Sequence, residues 1–176
     1  AISEAVLSQD SVHLVTITFT ESGYYTDPNG DLNVADATIS AEVSGGKPQS
    51  VYGYLRAALG KRVADNGAAL TIACCDNIRQ NGKMLRRNLR AYLEACGDQE
   101  LASWVDANVA FPCSMVDRIT PRSPAELGTE LSALIGQKVT SPVMAEDFIQ
   151  WVLQDSAAAE MPDLAQAGVI VTPDVD

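Results

Sequence analysis

The sequence predicts an α/β fold with a parallel β-sheet, and three observations lead to this prediction. Short apolar runs rich in β-branched residues alternate with longer stretches whose apolar residues recur at helical spacing. Three such runs, residues 11–20, 70–75 and 109–111, are separated by helical stretches. The chain has 176 residues, 47% of them hydrophobic, and can therefore bury a substantial core. Strands that alternate with helices pair in parallel through right-handed crossovers, which gives half of a doubly wound sheet.

Charge and composition exclude several classes of function. The net charge is −11, so an interface with nucleic acid, which needs a basic surface, is not expected. One group of basic residues falls on the polar side of a predicted helix and is interpreted as a solvated face: Lys83, Arg86, Arg87 and Arg90. No apolar run approaches the ~20 residues that span a bilayer, so no membrane partner is expected.

The cysteine and histidine content predicts neither disulfides nor a metal site. Cys74 and Cys75 are adjacent in a predicted strand, so their side chains point to opposite faces. With a single histidine, His13, the four cysteines form no recognisable zinc-binding pattern. We therefore expect reduced thiols, no bound metal and a cytoplasmic location.

The first predicted strand, residues 11–20, follows the end of a helix in residues 1–10. Its sequence S-V-H-L-V-T-I-T-F-T is nearly continuously apolar or β-branched, which is typical of a strand buried on both faces. Residues 21–25 follow at its carboxyl end, where Gly23 permits a turn with positive φ or a close approach of the backbone to a ligand. Residues 26–46 are rich in Asp, Asn and Gly and are expected to be irregular.

Helices are predicted on both sides of the second strand, residues 70–75. One covers residues 48–66 and the other residues 79–96, each with apolar side chains at helical intervals. A short helix over residues 100–108 then leads into the third strand at residues 109–111. This alternation makes the second strand the centre of the predicted sheet.

The pattern changes after Pro121. A helix is predicted over residues 124–135, with Pro124 at its first position, whereas residues 142–155 fit a strand and a helix equally well. A strand-like run at residues 168–171 lies close to the end of the sequence. We interpret this last third as a departure from the sheet toward another domain. Because the sequence also begins without methionine, we expect it to be part of a longer protein.

Polar residues follow each predicted strand of the sheet. Glu21, Asp76-Asn77 and Asp117-Arg118 come after the first, second and third strands. In open α/β sheets, ligands bind beyond the carboxyl ends of the strands, so these side chains are candidates for one wall of a site. Two structural alternatives remain open at this point. Asp76 or Asn77 could cap the next helix, and Asp117 and Arg118 could form a structural ion pair.

Several motifs of complete active sites are missing. The sequence has no G-x-G-x-x-G turn after a strand, no phosphate-binding loop, no G-x-S-x-G elbow and no Ser-His-Asp arrangement. The remaining Asn and Asp side chains are suited to binding hydroxyl groups and a polarised carbonyl. We therefore expect only part of a site within these residues.

Four motifs in one order resemble those of the polyol-specific long-chain dehydrogenase/reductase family, also called the mannitol dehydrogenase family. They are T-F-T-E-S-G-Y-Y at 18–25, C-D-N at 75–77 with N-G at 81–82, F-P-C-S-M-V-D-R-I-T-P at 111–121, and F-I-Q-W-V at 148–152. The resemblance extends over essentially the whole chain. Val51-Tyr52-Gly53 and residues 61–66 are most similar to the D-arabinitol-oxidising branch, whereas Phe111-Pro112-Cys113 is more similar to the fructuronate reductases.

The resemblance implies a fold and a domain division. Residues 1–121 would form the C-terminal half of a Rossmann-like doubly wound parallel sheet, as the second half of a nucleotide-binding domain. Residues 122–176 would be a connecting segment that leads toward a helical catalytic domain outside this sequence. A glycine-rich nucleotide turn would precede Ala1, and a catalytic lysine would follow Asp176.

The resemblance also implies an activity and its residues. The expected reaction is the metal-independent, NAD-dependent interconversion of a polyol of the D-arabinitol or D-mannitol type and its ketose, with NADP as an alternative cofactor. Asn77 would be catalytic and stabilise the developing alkoxide, and Asp117, with Arg118 beside it, would bind substrate. The cofactor would be bound by Thr20, Glu21, Gly23, Cys75 and Asp76.

Two other functions remain open. The first is a fructuronate or mannonate oxidoreductase of the same family. The second, from a different class, is a non-catalytic acidic α/β domain that binds a small ligand or a partner, which would agree with the absence of a complete active site.

Overall fold

The first sheet consists of three parallel strands in the order β1-β2-β3, as the sequence predicts. The computed structural model describes residues 2–65, 67–117 and 120–175. In it, β1 covers Leu14–Ile17, β2 covers Leu70–Cys74 and β3 covers Val109–Ala110. Every residue of β2 is buried, because β1 and β3 flank it and helices cover it. The expectation that β1 is buried on both faces is wrong, since β1 lies at the edge of the sheet and is only partly buried.

Among the described residues, five α-helices belong to this part of the chain: α1 (Ile2–Leu7), α2 (Ala37–Val43), α3 (Val51–Asp65), α4 (Asn81–Ala95) and α5 (Gln99–Asn108). A short 3-10 helix, Glu21–Tyr24, follows β1. The apolar faces of α3, α4 and α5 pack with β2 in one core. Helix α2 lies in a segment that was predicted to be irregular. The Asp36 side chain caps α2 by accepting a hydrogen bond from the Thr38 N–H at 2.8 Å, a local signal that the composition of the segment obscured.

A second sheet contains β4 (Ser114–Asp117), β5 (Gln150–Gln154) and β6 (Ile170–Thr172). Strands β4 and β5 are antiparallel, and β5 and β6 are parallel. Residues 112–121, which follow the third predicted strand, therefore contain a strand that the sequence pattern did not indicate, because β4 exists through pairing with a strand more than thirty residues away. The same pairing makes residues 150–154 of the ambiguous stretch 142–155 a strand.

The helix α6 (Leu127–Ile135) starts three residues later than predicted, and a short 3-10 helix covers Leu164–Ala167. Pro124 is not its first residue; the Pro124 carbonyl instead accepts a hydrogen bond from the Leu127 N–H. Because β4 pairs with β5, hydrogen bonds connect the predicted segments 1–121 and 122–176. Within the described residues, none of the helices combines the length and apolar character needed to cross a bilayer.

Arg62, on α3, is fully buried, and its guanidinium group donates to backbone carbonyl groups. Its nitrogen atoms donate at 2.7–2.9 Å to the carbonyls of Leu7, Gln9, Val12, Ala68 and Ala69. The first three carbonyls precede β1 and the other two precede β2. Arg62 therefore connects the two segments that lead into neighbouring strands, and it holds their entry points together.

Glu42 is buried at the amino end of α3. One of its oxygen atoms accepts the Ser50 N–H at 2.6 Å and also the Gln49 N–H, and the other accepts the Ser50 hydroxyl at 2.6 Å. Burial would raise the pKa of the Glu42 carboxyl, but these hydrogen bonds outweigh burial and hold the pKa below its usual value. The carboxylate thus stabilises the start of the helix that carries Arg62.

We expect Glu42→Gln to lower the free energy of unfolding by about 1–3 kcal/mol at neutral pH, because an amide cannot accept all of these hydrogen bonds. The folded-state pKa lies below the unfolded value of about 4.5, so the contribution of the carboxylate is complete above that value and is lost as the pH falls. The difference between wild type and variant should therefore shrink below about pH 4.5 in urea unfolding at a series of pH values.

The exposed Glu94, which pairs with Arg90 on α4, provides the matched control. Glu94→Gln should change the free energy of unfolding by less than about 0.5 kcal/mol at any pH in the series. A Glu42→Gln difference that stayed constant down to about pH 3 would contradict the charge-dependent role of Glu42.

Candidate functional site

Two hollows lie at the carboxyl end of the first sheet, and they share one segment of chain. The first hollow, of about 540 Å³, is lined by residues 19–22 and 76–78. The second, of about 290 Å³, is lined by residues 76–80, residues 113–115 and Val175. Residues 76–78 therefore form a ridge between the two hollows. A larger hollow of about 830 Å³ beside α3 and α5 is lined by none of the predicted site residues.

Asn77 lies on this ridge with its side chain exposed, and it lines both hollows. The helix-capping alternative is wrong for Asp76 and Asn77, because α4 begins only at Asn81 and the residue before it is Gln80. Gln80 adopts a left-handed conformation, with φ of 54°, which turns the chain from the ridge into the helix. An amide group at this position can donate hydrogen bonds to a ligand in either hollow.

Asp76 is buried behind Asn77, and both of its carboxylate oxygens have partners. The hydroxyl group of Tyr24 donates to one oxygen at 2.7 Å, and the amide of Asn81 donates to the other at 3.2 Å. Burial, with further contributions from Cys74 and Asp76, raises the pKa of the Tyr24 hydroxyl far above its usual value, so this group stays protonated and acts as a donor. Asp76 also lines both hollows, but most of its surface faces the protein.

Asn81 and Gly82 connect the ridge to the second sheet. Asn81 is fully buried; its amide nitrogen donates to the carbonyls of Cys74 and Ser114 at 3.2 and 3.0 Å, and its oxygen accepts the Ser114 N–H at 3.0 Å. At Gly82 a Cβ atom would collide with the carbonyl oxygens of Phe111 and Pro112. From the sequence, the Asn81-Gly82 motif was assigned no functional role. Its position directly after residues 76–78 could have indicated that it holds the ridge in place.

The turn after β1 forms the other side of the first hollow. Thr20 and Ser22 hydroxyl oxygens lie 2.9 Å apart, and Glu21 is exposed beside them. Gly23 does not have the positive φ that was considered for it. It is required because a Cβ atom would lie 2.7 Å from the Phe19 ring, and it lines an apolar hollow of about 400 Å³ instead of the first hollow.

The remaining predicted site residues are farther from the two hollows. Cys75 is half-buried, and burial and the neighbouring Asp76 raise the pKa of its thiol, which disfavours a reactive thiolate. Asp117 ends β4 and lies on the same face of the strand as Met115, which lines the second hollow. Arg118 lies outside the described residues, and so does the proposed Asp117–Arg118 ion pair.

Glu21 and Asn77 thus line the same hollow, whereas Asp117 lines neither of the two hollows. Among the described residues, no group of three or more His, Cys, Asp or Glu side chains could hold a metal ion. The first hollow offers the amide of Asn77 and the hydroxyl groups of Thr20 and Ser22, together with the carboxylates of Glu21 and Asp76. Such groups can bind hydroxyl groups and stabilise an oxyanion.

The chain is similar to known proteins over most of its length. Residues 1–166 match the family described as the mannitol dehydrogenase Rossmann domain. The chain is 41% identical to D-arabinitol 4-dehydrogenase of Ralstonia nicotianae, with 92% of the chain and 35% of that relative covered. It is 40% identical to polyol:NADP oxidoreductase of Gluconobacter oxydans, with 98% of the chain and 36% of that relative covered.

A solved structure supports the same assignment. Mannitol 2-dehydrogenase of Pseudomonas fluorescens, in its ternary complex with NAD and D-mannitol, superposes with a TM-score of 0.84 at 34% identity. The match covers 98% of this chain and 35% of that one. The chain therefore spans about a third of the length of its relatives. The family match, the parallel sheet and the order of the motifs show that the chain belongs to the mannitol dehydrogenase Rossmann domain family.

Proposed function

We propose that this chain supplies one wall of the active site of an NAD-dependent polyol dehydrogenase, which interconverts a polyol and its ketose. The observation that carries the proposal is the position of Asn77 on the ridge between two hollows at the carboxyl end of the sheet. A dehydrogenase must hold cofactor and substrate side by side, and two adjoining hollows with one shared amide suit that requirement.

The first hollow suits the nicotinamide end of the cofactor. Its lining by Thr20, Glu21 and the ridge provides hydrogen-bonding groups at the edge where α/β sheets bind nucleotides. When bound, NAD accepts a hydride from the substrate carbon. NADP is the alternative cofactor, since one relative carries NADP in its name. Cys75, Asp76 and Gly23 would support this wall from behind.

The second hollow suits the reacting end of the polyol. Asn77 would donate its amide N–H to the substrate oxygen as negative charge develops on it. Because an amide is neutral, it stabilises that oxygen without competing for the proton of the hydroxyl group. We infer that the general base is a lysine outside this chain, and that Asp117, with Arg118, binds hydroxyl groups farther along the substrate.

Residues 122–176 would connect this wall to the rest of the protein. This part of the chain exposes large apolar side chains at four pairs of adjacent residues: Leu134 and Ile135, Val143 and Met144, Phe148 and Ile149, and Ile170 and Val171. Together with the fraction of the relatives that the chain covers, they support contact with a further domain that would contribute the base.

The test is a substrate panel with the whole protein that contains this chain. We expect NAD to be reduced in the presence of D-arabinitol or D-mannitol, and the rate to be unaffected by a chelator. Mannonate as the only substrate would favour the fructuronate reductase alternative, which Phe111-Pro112-Cys113 favours in the sequence. Absence of turnover with every member of the panel would favour the non-catalytic binding domain.

Asp117→Asn should raise the polyol KM about tenfold or more, because a carboxylate that accepts hydrogen bonds from hydroxyl groups loses part of its strength as an amide. The KM for NAD should stay within about twofold of wild type. Steady-state kinetics with each substrate varied in turn measures both constants. Asp147→Asn, at an exposed position in the last third of the chain, is the control. Loss of stability with unchanged KM values would assign Asp117 a purely structural role.

A further inference from the structure

Hydrogen bonds join three segments of the chain around the buried Asp76 carboxylate. Tyr24 comes from the turn after β1, Asn81 begins α4, and Ser114 begins β4. Tyr24 and Asn81 bind Asp76 directly, and Asn81 in turn binds both the N–H and the carbonyl of Ser114. The Ser114 hydroxyl also donates to the Cys74 carbonyl at the end of β2. One connected set of buried hydrogen bonds therefore runs from the first hollow to the second.

Tyr24 is itself held in place by two further contacts. Its ring lies 4.2 Å from the Phe19 ring between centroids, and its carbonyl accepts the Tyr52 hydroxyl at 2.9 Å. It is fully buried, so its hydroxyl has no alternative water partner of equal value. Asp76 is thus anchored to a residue that is itself buried in the main core.

We propose that Asp76 is a positioning residue, which acts through Tyr24 and Asn81 to fix Asn77 between the cofactor and substrate hollows. This inference rests on the proposed function and assigns Asp76 a role different from direct contact with the cofactor. A carboxylate fits the position because it only accepts hydrogen bonds, and it therefore matches two donors at once. An amide in its place would direct an N–H group toward one of those donors.

The first test is a comparison of Tyr24→Phe and Asp76→Asn with Tyr92→Phe in the whole protein. Tyr92 is equally buried, and its hydroxyl group lies near Glu42 and Cys96, away from both hollows. We expect Tyr24→Phe and Asp76→Asn to lower kcat by ~10- to 100-fold, since small displacements of a positioned group carry losses of that order. Tyr92→Phe should leave kcat within about twofold of wild type, even if it lowers the melting temperature as much as Tyr24→Phe does. Equal kcat values in all three variants would overturn the proposal.

A double-mutant cycle separates positioning from general destabilisation. If Tyr24 acts through Asn77, then Tyr24→Phe should change kcat by less than about twofold once Asn77 is alanine. Effects that multiply in the double variant would overturn the proposal, because they would show that Tyr24 acts independently of Asn77.

Hydrogen exchange supplies a readout that does not depend on turnover. Backbone amides of residues 75–80 should exchange about tenfold faster in Tyr24→Phe than in Tyr92→Phe. If the wild-type protein showed no dehydrogenase activity, the proposed function would fail, and this exchange difference would still support the anchoring of the ridge by Asp76. Equal exchange in the two variants would overturn the anchoring whether or not the protein is a dehydrogenase.

Discussion

Replacement of Asn77 by alanine is expected to lower kcat by about 100-fold or more, while the affinity for NAD changes little. Removal of one donor to a developing oxyanion typically has an effect of this size. Asn77 lines both hollows with an exposed side chain, so its loss should not unfold the protein. Steady-state rates of NAD reduction, together with a titration of NAD binding, measure the two quantities separately.

Two further variants make this result specific. Asn77→Asp keeps the shape of the side chain but replaces its N–H donors with a negative charge, so it should be at least as damaging as alanine. Retention of activity in Asn77→Asp would rule out the donor role and leave only a steric one. Gln99→Ala removes an exposed amide from α5 and should leave kcat unchanged.

Replacement of Arg62 by methionine is expected to lower the free energy of unfolding by about 3–5 kcal/mol. Methionine fills much of the volume but donates no hydrogen bond, so five backbone carbonyls would lose the donors that Arg62 supplies, and of these the Gln9 carbonyl keeps the Val12 N–H. Unpaired buried carbonyls are costly because no solvent replaces the lost donor. Urea unfolding at neutral pH, followed by circular dichroism, measures the change.

The neighbouring Lys61 is the matched control, since it is a partly exposed cation on the same helix with one surface ion pair to Asp65. Lys61→Met should cost less than about 1 kcal/mol. Arg62→Lys should remain strongly destabilising, because an ammonium group has three donors and cannot reach five carbonyls in two directions. A cost below about 1 kcal/mol for Arg62→Met would show that the contacts of Arg62 are dispensable.

The strand, polar tip and helix around Asn77 could be predicted from the sequence because they are neighbours in the chain. The run Leu70–Cys74, the polar break after it and the helical pattern from Asn81 onward are neighbours in sequence, so their order alone predicts strand, tip and helix. Parallel pairing then places Asn77 and Glu21 at the same edge. Both line the first hollow, as that reasoning requires.

Two of the wrong predictions have different causes. Strand β4 could not be read from residues 112–121, because its ladder is completed by β5. The start of α6 was predicted too early, since Pro124 is compatible with the first turn of a helix but does not require one. The local sequence pattern predicts the bounds of a strand or helix poorly where pairing or packing with distant residues sets those bounds.

The sequence by itself determined the α/β class, the central strand, the polar tip that bears Asn77, and the motifs that indicate the family. All of these depend on periodicity and on residue types within short stretches. Only the tertiary structure decided what Asp76 does, because its partner Tyr24 is 52 residues away in the chain. Likewise, the five carbonyls around Arg62 converge only after folding. A buried polar group takes the partner that the fold brings within hydrogen-bond distance, and sequence spacing does not specify that partner.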